Sequence, residues 1–204
     1  VGESGSGKST LLNCIFGNLA VDEGNIFLKE QSKNIIDFNK ISEPQLRLIQ
    51  RTDLAFVHQN PRDGVRMNIS AGGNLGERLM AIGYRNYGEI REISKNWLER
   101  VEINVNRIDD KPSTFSGGMQ QRLQIARNLV TKPRLIFMDD PTGGLDVSVQ
   151  AKILDLLRNL VRELGIAAVI VTHDLAVVRL LADRVIVMQN GRVIEAGLCD
   201  QVLD

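Results

Sequence analysis

The chain has 204 residues, with 25 Lys and Arg against 25 Asp and Glu, so its formal net charge is zero. This length predicts one domain with room for a subdomain. A neutral balance gives no electrostatic support for binding nucleic acid or an anionic membrane, and we expect no nucleic-acid partner. The longest apolar runs, such as 166–171, are far shorter than the roughly 18 residues of a membrane-spanning helix. Two distant cysteines, Cys14 and Cys199, favour a reducing intracellular compartment over a disulfide framework.

A phosphate-binding pattern opens the chain. Residues 2–9 match G-x4-G-K-[ST], which works as a loop between a strand that delivers it and a helix that leaves it. Only Val1 precedes the pattern, and the chain lacks an initial methionine. We therefore expect an N-terminally truncated fragment whose delivering strand is absent.

The residue types in this pattern suit phosphate chemistry. Glycines allow backbone N–H groups to point inward around phosphates, Lys8 adds a point charge, and the Ser9 hydroxyl can ligate magnesium. The alternative is a chance glycine-rich turn. The predicted phosphate-binding residues are Gly2, Glu3, Ser4, Gly5, Ser6, Gly7, Lys8, Ser9 and Thr10.

Helices and strands alternate in the first quarter of the chain. Apolar residues at helical spacing follow the phosphate pattern, and later runs are β-branched, aromatic or amphipathic. These patterns predict a helix at 9–16, a strand at 26–28, a helix at 43–51 and a strand at 54–58.

The sequence pattern changes between residues 60 and 113. Glycines recur there and separate helical runs such as 89–101, and no convincing strand pattern occurs. We predict a small helical subdomain at 60–113, inserted in an α/β domain.

The alternation returns after Ser116. The predicted elements are a helix at 119–130, a strand at 135–139, a helix at 147–164, a strand at 167–172, a helix at 175–182 and strands at 185–188 and 192–195. Buried strands that alternate with helices predict a mostly parallel sheet. Asn190 and Gly191 between the last two strands predict a hairpin.

Two further sites have the chemistry to contact a nucleotide. Asp139 ends a buried apolar strand and can hold magnesium through water, although it can also simply cap the next turn. Ser116, Gly117 and Gly118 begin an amphipathic helix, whose N–H groups and dipole attract anions. Plain capping by Ser116 is the alternative.

The ordered set of motifs resembles the ATPase domain of ATP-binding cassette (ABC) proteins. The set comprises the phosphate loop, Gln59 after a strand, the Ser-Gly-Gly signature at 116–118, Asp139, the Leu145-Asp146 loop and His173 after a strand. The resemblance implies a P-loop NTPase fold that binds ATP and Mg²⁺. It also implies head-to-tail pairing with a second ABC ATPase domain, as a homodimer or heterodimer, with ATP between one phosphate loop and residues 116–119 of the partner.

The same resemblance implies roles for single residues. Gln59 resembles the residue that contacts magnesium and the attacking water, with a polar loop residue as the alternative. His173 resembles the histidine that touches the γ-phosphate, although a lone histidine is more often a bystander, as we expect of His58. Asp146 resembles the carboxylate that communicates across the dimer, or it caps the helix that follows.

The sequence departs from the family pattern at two positions. Asp140 stands where the family usually has glutamate, the base that orients the attacking water. Because aspartate is one methylene shorter, slow hydrolysis is expected. Met119 stands where many relatives have glutamine, and we interpret this change as neutral. The resemblance thus gives Asp140, His173 and Gln59 as catalytic residues and Ser9, Gln59 and Asp139 as magnesium ligands.

Finer similarities indicate a subfamily. Stretches 58–64, 70–80 and 139–151 resemble the ATP-binding subunit of carbon-phosphorus lyase systems for phosphonate breakdown, which implies a lyase core complex as partner and a cytoplasmic location. The nearest alternative is the ATPase of a peptide, nickel or phosphonate importer, which would bind a membrane permease at the inner face of the membrane. A non-hydrolysing ATP-sensing module, prompted by Asp140, is an alternative of another class.

Overall fold

A computed structural model of the protein describes residues 1–29 and 35–203. The chain forms two compact units. The terminal unit consists of Val1–Gln50 together with His173–Asp204, and the central unit consists of Arg51–Thr172.

Within the described residues the helices are α1 (Lys8–Phe16), α2 (Glu43–Thr52), α3 (Pro61–Gly64), α4 (Ala71–Ala81), α5 (Tyr87–Arg100), α6 (Gly117–Leu129), α7 (Val147–Leu164), α8 (Leu175–Leu181) and α9 (Cys199–Leu203). The strands there are β1 (Phe27–Lys29), β2 (Ile35–Asp37), β3 (Leu54–Val57), β4 (Leu135–Asp139), β5 (Ala167–Val171), β6 (Arg184–Gln189) and β7 (Arg192–Leu198). Short 3₁₀ turns occur at Val105–Arg107 and Pro112–Thr114.

The central unit is built on a parallel sheet in the order β3-β4-β5. β4 lies in the middle, and its Ile136, Phe137 and Met138 are at most 1% exposed. A strand covered on both faces needs a continuous apolar run, which is why residues 135–138 are all apolar and do not alternate with polar residues. The predicted mostly parallel sheet is therefore confirmed.

Two long helices complete the core of the central unit. α7 buries Ile153, Leu154, Leu157 and Leu160, which share one helical face, and it ends at Gly165 in the left-handed conformation. α6 buries much of its length among the same apolar cluster. These helices fix where the loops at the carboxyl ends of β3 and β4 can lie.

Residues 60–113 are helical, as the sequence predicts. They contain α3, α4, α5 and two 3₁₀ turns, and this fully described stretch has no strand. Ser70 and Asn86 cap α4 and α5 by accepting from the N–H groups of Gly73 and Glu89. The stretch lies inside the central unit, and its separation as a subdomain stays a prediction.

The terminal unit contains two antiparallel pairs, β1 with β2 and β6 with β7. Asn190 and Gly191 connect β6 to β7 with φ angles of 49° and 76°, so the predicted hairpin is confirmed. A small apolar cluster of Val178, Val185 and Cys199 holds α8, β6 and α9 together.

Three expectations for the terminal unit differ from the structure. No element was predicted at residues 35–37 or 199–203, where the structure has β2 and α9. The strand β7 also extends three residues beyond its predicted end. Both missed elements are very short, so neither repeats its pattern enough to be recognised. No helix within residues 1–29 and 35–203 combines the length and hydrophobicity needed to cross a bilayer.

Candidate nucleotide-binding and hydrolysis site

The phosphate loop begins at a residue paired with β6. The Val1 nitrogen donates to the Ile186 carbonyl at 2.7 Å, and the Met188 N–H donates to the Val1 carbonyl at 2.8 Å. This is the pattern of parallel pairing. Gly2 follows with φ of 143°, and a Cβ there would lie 2.1 Å from the Met188 carbonyl oxygen. Only glycine fits at this position, where the loop begins after Val1 and passes close to β6.

Lys8 folds back across the loop. Its ammonium donates to the carbonyls of Gly2 at 2.8 Å and Glu3 at 2.6 Å, and to the Ser6 hydroxyl at 3.2 Å. These bonds place the cation at the centre of the loop rather than in solvent. A phosphate cradled by this loop would meet that positive charge.

The start of α1 supplies the other half of an anion site. Gly7 is its N-cap, in the left-handed conformation and without a side-chain capping bond. The first intrahelical bond runs from the Leu11 N–H to the Gly7 carbonyl. The N–H groups of the preceding helical residues therefore have no acceptor within the helix, and the helix dipole favours an anion there. The backbone and the charge of the loop suit a phosphate, and its role as the nucleotide site stays a prediction.

A turn that the sequence analysis did not connect with nucleotide binding supports this loop. The Gly191 N–H, in the β6–β7 hairpin, donates to the Ser6 carbonyl at 3.0 Å, and Ser6 is 4% exposed. The Asn-Gly pair predicts a hairpin, but its sequence carries no sign of where the turn docks.

Gln59 and Asp140 meet in the central unit. Gln59 Nε2 donates to Asp140 Oδ2 at 3.4 Å. Asp140 has φ of 42°, a left-handed conformation that aspartate tolerates better than most residues. A Cβ on Gly143 would lie 2.8 Å from Asp140 Oδ2 and 2.9 Å from Gln59 Nε2, so Gly143 leaves the space that this pair occupies.

Asp139 ends β4, opposite Val171 of β5, and is half-buried. Together with the Ser9 hydroxyl and the Gln59 amide it forms the predicted magnesium set. These are oxygen donors, the ligand chemistry that Mg²⁺ prefers alongside phosphate oxygens and water. Among residues 1–29 and 35–203 there is no group of three or more His, Cys, Asp and Glu suited to a metal ion. The oxygen-donor chemistry of these three residues suits Mg²⁺, and their role as magnesium ligands stays a prediction.

The signature residues begin α6. Ser116 is exposed, and its Oγ accepts from the Met119 N–H at 3.3 Å, so it does cap the helix. A Cβ on Gly118 would lie 2.6 Å from Val149 Cγ1, which shows that this glycine allows α6 and α7 to approach closely. Gly117 faces Leu145 and is exposed.

The Leu145-Asp146 loop lies next to the signature. Asp146 is the N-cap residue of α7, yet its side chain makes no capping hydrogen bond, so the capping alternative is not what the structure has. A cavity of about 340 Å³ is lined in part by Gln59, Gly117, Gly143 and Leu145. The central unit therefore brings three of the predicted motifs to one cleft.

The two histidines differ in environment. His173 is exposed and directly precedes Asp174, which caps α8. The His58 ring packs on Phe56 with 4.7 Å between ring centroids. Burial lowers the pKa of His58, against the opposing influence of Asp63 and Asp139, so the neutral form is favoured, as suits a packed bystander.

Three buried amides on α6 were not predicted from the sequence. Gln121, Gln124 and Asn128 are 1%, 0% and 8% exposed. Their spacing of three and four residues puts them on one helical face. Three amides on the apolar side of a helix were the available signal.

These features define a P-loop nucleotide hydrolase: a glycine loop between a strand pairing and a helix, and carboxylates at the ends of parallel strands. The chain matches the ABC transporter family over residues 1–143, and it belongs to that family of ATP-binding cassette ATPases.

Similar proteins agree with this assignment. The chain is 62% identical over 204 residues to the phosphonates utilization ATP-binding protein PhnK of Escherichia coli K12, covering all of this chain and 79% of PhnK. It is 36% identical to the oligopeptide transport ATP-binding protein OppF of the same organism, covering 99% of this chain and 59% of OppF. The dimeric ATP-binding cassette MJ0796, in a post-hydrolysis state with ADP and phosphate, superposes with a TM-score of 0.84 at 33% identity, over 97% of this chain and 83% of that one.

Proposed function

We propose that this chain is the ATP-binding and ATP-hydrolysing subunit of a carbon-phosphorus lyase system that breaks down phosphonates. The observation that carries the proposal is the 62% identity to PhnK across the whole chain, whose name assigns it to phosphonate utilization. The similarity of stretches 58–64, 70–80 and 139–151 to such subunits supports it. A cytoplasmic location belongs to the same proposal.

The chemistry follows from the residues in each unit. The phosphate loop and Lys8 bind the phosphates of ATP, and Ser9, Asp139 and Gln59 would hold Mg²⁺, which supplies positive charge against the phosphates. Asp140 accepts a proton from the attacking water, and Gln59, within 3.4 Å of Asp140, orients that water. His173 would donate to the γ-phosphate.

We propose that two copies, or this chain and a related ATPase, pair head to tail. ATP would then lie between the phosphate loop of one subunit and residues 116–119 of the other. The exposure of Ser116 and Gly117 and the dimeric state of MJ0796 support this arrangement.

The shorter carboxylate at position 140 provides the test of the chemistry. Asp140→Asn should nearly abolish steady-state turnover and stabilise the ATP-bound dimer. Asp140→Glu should raise turnover, because the longer side chain reaches the water better, while ATP affinity barely changes. Asp155→Asn, an exposed carboxylate change on α7, is the control and should leave turnover unchanged. Equal turnover of the parent and Asp140→Asn would exclude Asp140 as the base.

A second candidate is an importer ATPase that drives a membrane permease, favoured by the 36% identity to OppF. Affinity purification from cells grown on a phosphonate separates the two. Recovery of soluble lyase subunits supports the lyase assignment, and recovery of membrane permeases overturns it. Single-turnover hydrolysis tests the third candidate, a non-hydrolysing sensor, because any release of phosphate excludes it.

A further inference from the structure

Two fully buried amides of α6 bind the backbone next to two of the three proposed catalytic residues, Gln59 and Asp140. Gln121 is 1% exposed and Gln124 is 0% exposed. A buried amide without partners loses several kcal/mol relative to water, on the order of 2 to 7. A buried side-chain amide therefore needs hydrogen-bond partners, and both of these amides have them.

Gln124 holds the residue before Gln59 by both of its backbone groups. Its Oε1 accepts from the His58 N–H at 2.7 Å, and its Nε2 donates to the His58 carbonyl at 3.0 Å. One side-chain amide thus pairs with a peptide as a neighbouring strand would. This pairing fixes the chain at the end of β3, one residue before Gln59.

Gln121 holds the residue after Asp140. Its Nε2 donates to the Pro141 carbonyl at 2.8 Å, and its Oε1 accepts from Gln124 Nε2 at 3.0 Å. The two amides are therefore bonded to each other as well as to the two loops. Both amides and the two loop residues that they bind, His58 and Pro141, lie in the central unit.

The bond between Gln59 and Asp140 closes a ring. It runs from Gln59 through His58, Gln124, Gln121 and Pro141 to Asp140, and back to Gln59 across 3.4 Å. Each link is a covalent step or a hydrogen bond. The distance between the two proposed catalytic side chains therefore depends on the helix that Ser116 begins.

We propose that Gln121 and Gln124 are positioning residues that set the geometry of the Gln59–Asp140 pair and couple it to the signature end of α6. The proposal rests on the roles proposed above for Gln59 and Asp140. A displacement of Ser116 on ATP-driven pairing would move α6 and, through these amides, both catalytic loops together.

Gly64 provides independent evidence that the position of Gln124 is tightly defined. A Cβ on Gly64 would lie 2.1 Å from Gln124 Oε1 and 2.7 Å from its Cδ. The conformation of Gly64 is an ordinary negative-φ one, so the space and not the backbone angle requires glycine. The residue makes room for this amide.

The first experiment replaces each amide by a side chain of similar volume that lacks the hydrogen bonds. In Gln124→Met and Gln121→Met we expect kcat to fall roughly tenfold to a hundredfold, because displacements near 1 Å have such effects, while ATP affinity stays within about twofold. Asn128→Leu is the matched control. Asn128 is buried on the same helix, where its side chain accepts from the Phe56 N–H at 3.3 Å and donates to the backbone carbonyl of Gln124 at 3.0 Å. It makes no bond to the Gln124 side chain that belongs to the ring, so kcat should be preserved.

The second experiment uses the steric relation. Gly64→Ala should lower kcat by displacing Gln124, whereas adding Gly64→Ala to Gln124→Ala should cause no further loss, because the obstructing amide is gone. This coupling is a readout that general destabilisation would not produce. The coupling experiment also tests the proposal if a methionine variant fails to fold.

Two results would overturn the inference. They are unchanged kcat in folded Gln124→Met, or an equal loss of kcat in Asn128→Leu. Failure of the proposed chemistry is separate, since it would appear as full turnover in Asp140→Asn.

Discussion

At the scale of single residues, Lys8 shows how the phosphate loop keeps its shape. Its ammonium is bonded to two carbonyls and one hydroxyl of the loop, so the cation organises the same atoms that would surround a phosphate. Removing it takes away both the charge and the internal support.

Lys8→Ala should therefore abolish measurable ATP binding in titration calorimetry. Lys40→Ala is the charge-matched control, because Lys40 is exposed and forms an ion pair with Asp37, away from the phosphate pattern in the sequence. That variant should bind ATP as the parent does. Unchanged ATP affinity in Lys8→Ala would mean that the loop is not the nucleotide site.

The sequence indicates individual site residues where a short local pattern carries the chemistry, and their roles stay predictions. The phosphate loop, Gln59 and Asp140 are recognised by their neighbours in the chain. Gln121 and Gln124 are not recognised in this way, because glutamine is mostly exposed in proteins and its residue type alone does not predict burial. Their partners are 20 and 66 residues away, and no local pattern encodes such contacts.

At the scale of elements, the capping of α6 separates two effects of changing Ser116. Ser116 Oγ accepts from the Met119 N–H, so any replacement without this acceptor costs about 1 kcal/mol of stability. A defect in dimerisation can therefore be assigned to the pairing surface only if it is larger than the defect that loss of this cap alone causes.

Ser116→Arg should leave ATP binding by a single copy intact but block ATP-dependent dimerisation, because the arginine would occupy the space of the partner's γ-phosphate. Ser116→Ala is the control, since it loses the same cap without adding bulk, and it should still dimerise. Sedimentation velocity with ATP distinguishes them. Normal dimerisation of Ser116→Arg would contradict the head-to-tail arrangement.

An ion-pair group joins α4 to α6. Glu77 lies 2.7 Å from Arg66 and 3.0 Å from Arg127, whose other nitrogen donates to the Asn74 carbonyl at 2.6 Å. Burial alone would raise the pKa of Glu77, but the two guanidinium groups outweigh it and hold this pKa below its usual value.

Glu77→Gln should lower the free energy of unfolding at pH 7 by about 1 kcal/mol, a value reduced because the carboxylate is partly exposed to solvent. A lowered carboxyl pKa stabilises the folded state above the unfolded pKa and loses this contribution as pH falls through the folded value. The difference between parent and variant should thus disappear in acid. Urea unfolding at several pH values measures it, with the exposed Glu99→Gln as control. A difference that persists in acid would assign the effect to packing.

Elements with strong periodicity were predicted closely. β4 occupies the predicted residues because its apolar run is central and covered on both faces. β2 was missed because three residues are too few to show the alternation of a strand. The segment 30–34 before it lies outside the described residues. The observed helix starts differ from the predicted ones by one or two residues, because capping residues such as Ser116 and Asn86 determine where a helix begins.

At the scale of the whole molecule, the predicted site residues are divided between the two units. The phosphate loop and His173 belong to the terminal unit, whereas Gln59, Ser116, Asp139, Asp140 and Asp146 belong to the central one. Composition and periodicity cannot give this division, because the terminal unit is assembled from both ends of the chain.

The Asn190–Gly191 turn has a consequence for chemical ageing. An asparagine before glycine deamidates when the glycine nitrogen attacks the asparagine side-chain carbonyl, expels ammonia and leaves a cyclic imide that water opens to a carboxylate. Here the Gly191 nitrogen is committed, through its hydrogen, to the Ser6 carbonyl. Folding of the terminal unit should therefore slow the reaction.

A stored sample that loses this bond would accumulate a negative charge beside the phosphate loop. We expect peptide mass spectrometry to show slower deamidation of Asn190 in the folded protein than in urea, and Asn190→Asp to bind ATP more weakly than the parent because the new carboxylate repels phosphate. Equal deamidation rates in both conditions would contradict protection by the turn. If the turn does protect Asn190, a slow loss of nucleotide affinity during storage would report deamidation in this hairpin and not unfolding of the protein.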